Sequence, residues 1–109
     1  MEIDKKFIID IKGKSFIKYE GLLDAFHRSG GEKVETELIQ TRLNDETFFV
    51  FKATVSGEKG SFTGYGDACV GNVGPMIKPH MLRMAETRAV ARAFRLYNNI
   101  GMCSVEELN

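Results

Sequence analysis

Apolar side chains fall at alternate positions from Phe7 to Ile11, with Phe7, Ile9 and Ile11 on one side. That is the period of a half-buried strand. Lys12-Gly13-Lys14 is a tight connection, and Ser15 to Tyr19 returns as a second strand, so the pair predicts a hairpin. From Glu20 the spacing changes. Tyr19, Leu22, Leu23 and Phe26 share one side of a short helix over Glu20–Ser29, with Asp24, His27 and Arg28 outward and Gly30-Gly31 as its stop. Three strands follow: Lys33–Arg42, Thr47–Val55 and Ser61–Cys69, separated by a turn at Leu43–Glu46 and a glycine-bounded turn at Ser56–Gly60. On the middle strand Phe49, Phe51, Ala53 and Val55 form one apolar face, and Phe48 and Val50 begin a second. Strands this close in sequence form an antiparallel meander.

Val70 to Lys78 reads as a loop that feeds a long helix within Lys78–Gly101. Pro79 suits a first turn, the run holds strong helix formers, and Asn98, Asn99 and Gly101 offer a left-handed stop. Most of its circumference is apolar, so it is expected to pack on a sheet and also on a second body. The exception is a stripe. At about 100° per residue, Arg88, Arg92 and Arg95 fall within roughly a 60° sector. Met102 to Asn109 is a short acidic tail. The element order is β-β-α-β-β-β-α, which predicts one α+β domain over residues 1–109, an antiparallel sheet with the long C-terminal helix packed across it.

The 109 residues suit one domain of modest core. No apolar run approaches the roughly 20 residues that span a bilayer, and no leader pattern opens the chain, so a cytoplasmic protein without membrane contact is expected. Cys69 and Cys103 lack metal-ligand spacing and read as buried thiols. The formal net charge is zero, but it is unevenly spread. Residues 78–97 carry five Lys or Arg against Glu86 alone, and Lys12, Lys14 and Lys18 form a lesser basic cluster. Such asymmetry is an electrostatic footprint even in a neutral chain.

Gly64-Tyr65-Gly66 contains GxG, but without the following pattern of a dinucleotide fold or a GK[ST] phosphate loop. Two glycines on one strand face predict a bulge or a close approach by the long helix, a neighbouring subunit or a polynucleotide. Asp67 with His80, and Asp24 with His27, have no spacing that requires an acid–base pair. No catalytic triad, metal cluster or cofactor site is indicated, so no enzyme is expected. The arginine stripe is different. Arginine suits bidentate phosphate contacts, and no carboxylate alternates with these three as on a merely solvated face.

Three stretches resemble the annealing domain of the Rad fifty-two type recombination proteins, with their phage and archaeal single-strand annealing relatives. Lys14–Gly21 is similar to the strand-to-helix entry of that domain. Thr63–Gly66 is similar to the Gly-Tyr-Gly of its third strand, and Thr87–Arg95 to its long-helix signature. The order agrees across residues 14–101. The resemblance implies a homo-oligomeric ring that binds single-stranded DNA in a basic groove and anneals complementary strands without a nucleotide, in recombination and repair. Recombination or replication proteins are the implied partners. Arg92 and Arg95 take the family's basic helix positions, with Arg88 beside them. Leu23 and Ala91 stand where the family often has a basic residue, so part of the usual site is missing or rebuilt from Lys12, Lys14 and Lys18.

Two other readings remain open. The αβββα core is close to that of double-stranded-RNA modules, although the first turn of the long helix offers only Lys78, His80 and Arg83 for phosphates. A structural or regulatory oligomer without nucleic acid would pair its arginines with the acidic Glu32–Glu46 segment or with a neighbour's tail.

Overall fold

The computed structural model describes residues 3–44, 46–76 and 78–108, and only the backbone of Lys78. The expected turn residue Asp45, loop residue Ile77 and tail residue Asn109 lie outside the described residues. The elements follow the expected order: β1 Ile8–Ile11, β2 Lys14–Ile17, α1 Tyr19–Arg28, β3 Gly31–Arg42, β4 Phe48–Gly57, β5 Gly60–Cys69 and α2 Met81–Asn98. The strands form two antiparallel sheets rather than one, a hairpin β1-β2 and a meander β3-β4-β5.

The hairpin turns on two residues. Ile11 pairs with Lys14, and Lys12 and Gly13 both take positive φ, 52° and 81°. Primed turns of this kind match the strand twist but favour Asn or Gly at the first position. Phe7 belongs to a 3-10 turn, Lys5–Phe7, and Ile9 is more than one-third exposed, so the expected Phe7, Ile9, Ile11 face is only partly made. The buried residues come from β2 instead, Phe16 and Ile17. In α1, Leu22 and Phe26 are buried as expected, but Leu23 faces out and Gly21 and Ala25 complete the buried side. Gly30, with φ 79°, ends the passage out of α1.

The meander presents Phe51, Ala53 and Val55 to α2. Opposite them on β5 stand Gly66, Gly64 and Phe62. α2 lies close because both sides of the contact are small. A Cβ on Gly64 would sit 2.5 Å from the Ala93 amide nitrogen, and one on Gly66 would collide with the Ala89 amide nitrogen. Ala85, Ala89 and Ala93 are fully buried and recur every four residues, one face of a helix. Of the three bodies that could have approached the glycines, the long helix is the one in contact.

The second body against α2 is α1. Phe94 stacks with Phe26 at a ring separation of 4.7 Å, and Tyr97 meets Phe26 edge-on at 5.0 Å. Tyr97 donates its hydroxyl to the Ser29 carbonyl at 3.0 Å, and Asn98 accepts the Ser29 hydroxyl at 2.9 Å. The helix begins after a 3-10 turn, Lys78–His80, so Pro79 precedes the α-helix instead of opening it. It stops where expected. Asn99 is left-handed, and the Ile100 amide donates to the Arg95 carbonyl at 2.9 Å. The tail then turns back along α2. The Ile17 amide donates to the Cys103 carbonyl at 3.0 Å, Ser104 is fully buried, and Val105–Glu107 forms a 3-10 turn. Cys69 and Cys103 are unpaired and half-buried. Among the described residues no helix is long and apolar enough to cross a membrane.

Candidate nucleic-acid interface

The arginine stripe exists as a stripe but is not open along its length. Arg88 is 3% exposed, and all five of its N–H donors are used. Its Nε donates to the Glu106 carbonyl at 2.9 Å. One terminal nitrogen donates to the Asp67 carbonyl at 2.8 Å and to Asn72 Oδ1 at 3.1 Å. The other donates to the carbonyls of Asn72 at 3.0 Å and Leu108 at 2.9 Å. Burial pushes its pKa down from the usual arginine value, although the Asp67 charge works against that. Arg88 has no donor left for a phosphate. It ties α2, β5, the loop after β5 and the tail together.

Arg92 and Arg95 meet on one carboxylate. Glu107 Oε1 accepts from Arg92 Nε at 3.1 Å and from an Arg95 terminal nitrogen at 2.6 Å. Glu107 Oε2 accepts from the Ser104 amide at 2.8 Å and its hydroxyl at 2.9 Å. Burial acts to raise the Glu107 pKa. The Ser104 donors and the positive charges of Arg95 and Arg92 outweigh it and hold the carboxyl below its usual value. Both arginines have further backbone partners. Arg92 donates to the Tyr65 carbonyl at 2.9 Å, and Arg95 to the carbonyls of Ile100 at 3.3 Å and Gly101 at 2.8 Å. The Arg92 side chain is still 37% exposed.

Beside this pair runs an open groove of about 340 Å³, lined by Thr63, Tyr65, Arg92, Arg95, Leu96 and Ile100 among others. Tyr65 is 54% exposed and Leu96 is 56% exposed. An exposed ring and an exposed aliphatic side chain beside two cations form the surface that an unpaired nucleotide uses, base on the apolar part and phosphate on the guanidinium. Tyr65 was legible as an outward residue, because strand alternation sends it to the face opposite Gly64 and Gly66. Glu107 carried a signal too, since Ser104-x-x-Glu107 has the capping-box pattern, and the Glu107 carboxylate accepts the Ser104 amide at 2.8 Å as that pattern requires.

The lysines lie on the hairpin and at its exit into α1. Lys12 is at the hairpin tip, Lys14 opens β2, and Lys18 precedes α1. The contacts of Ile17 with Cys103 and Ser104 link this hairpin to the tail that holds Arg92 and Arg95. Asp24 bonds Arg28 rather than His27, and Asp67 bonds Asn72 rather than His80, so neither carboxylate–histidine pair is formed. Among the described residues no cluster of His, Cys, Asp or Glu could hold a metal ion.

No protein-family model, curated protein or solved structure matches the chain.

Proposed function

We propose that the chain is a cytoplasmic, homo-oligomeric protein that binds single-stranded DNA and anneals complementary strands without a nucleotide. The reading is carried by one observation: exposed Tyr65 and Leu96 line the same open groove as Arg92 and Arg95. Aromatic contact with bases and cationic contact with phosphates give binding without sequence preference. Lys12, Lys14 and Lys18 add a second line of positive charge, which the neutral total does not prevent. In this reading the partners are single-stranded DNA and further copies of the chain, and no cofactor is required.

The test is anisotropy of a labelled oligo-dT strand at rising salt, followed by annealing of two complementary strands. Binding is expected to fall steeply with salt. Tyr65→Ala is expected to weaken it by about 1–3 kcal/mol with the melting temperature unchanged. Failure to take up oligo-dT at low salt overturns the reading. The internal bonds of all three arginines favour a second reading, a structural or regulatory oligomer whose stripe holds its own tail. An oligomer indifferent to nucleic acid would be its signature.

A further inference from the structure

The meander treats its two outer strands differently. Along β5, Arg92 and Arg88 donate to the carbonyls of Tyr65 and Asp67, where another strand would otherwise bond. β3 has no such cover. Among the described residues no strand pairs with its outer side, and every position after Gly31 is exposed. α2 reaches it through Glu86, which accepts the Thr36 hydroxyl at 2.7 Å. Val34, Leu38 and Ile39 are left 42%, 44% and 47% exposed. A long, bare, partly apolar edge is a template for another strand.

The hairpin supplies a complement. β2 is occupied on both sides, by β1 and by the tail at Cys103 and Ser104. Among the described residues β1 pairs with β2 alone, and Ile9 on it is 37% exposed. The charges are opposite. Residues 5–18 carry five lysines against Asp10, and residues 32–46 carry five carboxylates against Lys33 and Arg42. The regular stretch of β3 between its register shifts is Lys33 to Leu38. An antiparallel register that sets Ile9 against Val34 also sets Asp10 against Lys33, with Lys5 and Lys6 in the turn that precedes β1. Symmetric pairing of β3 with itself about Thr36 sets Glu35 against Glu37 and opposes like charges.

We propose that the bare edge of β3 receives β1 of a second copy, antiparallel and in this register. The two surfaces differ, so the contact is head-to-tail and repeats into a closed ring or an open filament. The proposal names the interface of the homo-oligomer proposed above and rests on that part of the reading alone.

The experiment is light scattering of the full chain without DNA, with circular dichroism and a thermal melt as folding controls. Wild type is expected to run as a multimer that dissociates as salt rises. Asp10→Lys alone and Lys33→Asp alone are each expected to reduce the mass toward that of one chain, and the two together in one chain to restore it. Val34→Asp tests the apolar part and is expected to give folded monomer. A wild-type monomer overturns both this interface and the oligomer. A multimer that survives both single reversals overturns the interface and leaves the oligomer standing. A multimer built as expected that ignores oligo-dT supports the interface and overturns the DNA reading instead.

Discussion

Arg95 donates to Glu107 Oε1 at 2.6 Å, and that contact ties the end of α2 to the turn that follows it by several residues. The Glu107 carboxyl titrates below its usual 4.5. A carboxylate depressed by folding contributes stability that is complete above its unfolded value and is lost as pH falls through its folded value. Urea denaturation is therefore expected to show stability declining below about pH 4.5. Glu107→Gln is expected to remove that part of the slope and to cost roughly 1.5–3 kcal/mol at pH 7, the range for hydrogen bonds to a charged group.

Its neighbour behaves in the opposite sense. Glu106 is raised above 4.5, chiefly by burial and further by the charges of Glu20 and Glu107, with the amides of Glu106 and Tyr19 pulling it back in part. Its Oε1 is buried without a partner among the described residues. A raised carboxyl contributes stability below its unfolded value and loses it as pH rises through its folded value. Glu106→Gln is expected to raise the urea midpoint at pH 7, and the gain is expected to vanish below pH 4.5.

Arg88 holds four carbonyls and one amide oxygen with its five donors. Lysine has three donors and no planar fork, so it cannot replace them. Arg88→Lys and Arg88→Ala are both expected to destabilise, on the order of 3 kcal/mol, because buried acceptors lose their partners. Calorimetry checks the size. Limited proteolysis is expected to cut first in the released tail.

The glycines give a steric prediction. Gly66 faces the α2 backbone with no room for a methyl group, whereas a Cβ on Gly74 meets nothing within 4 Å among the described residues. Gly66→Ala is expected to cost about 1–3 kcal/mol, the range for overpacking a filled site. Gly74→Ala is expected to leave the melting temperature within a degree or so.

Much of this was legible along the chain. The period of two in β4 placed Phe51, Ala53 and Val55 correctly, and the apolar circumference of α2 pointed to its packing on the meander and on a second body. Asn99 supplied the left-handed stop as expected. What could not be read was what lies across each face. The arginine stripe was visible at i, i+4 and i+7, but its cover comes from Gly101 to Leu108, and that return depends on a turn and on contacts with β2 rather than on helical spacing. Two sheets were read as one because the local signals of β1 and β2 contain nothing about whether they join β3. Ile9 looked inward because alternation marks a face without saying what will cover it.

Lys12 carries the last prediction. It sits at φ 52°, a left-handed conformation that side chains with a Cβ rarely adopt, at the first position of a primed two-residue turn. Glycine at that position relieves a strain of roughly 1–2 kcal/mol while giving back some chain entropy. Lys12→Gly is therefore expected to raise stability by up to about 1 kcal/mol. If the lysine is kept there for its charge, the same substitution weakens oligo-dT binding and lowers the slope of log affinity against log salt by about 0.7. A gain in stability with unchanged affinity and slope would remove Lys12 from the DNA surface and leave the binding to the groove beside Tyr65 with Lys14 and Lys18.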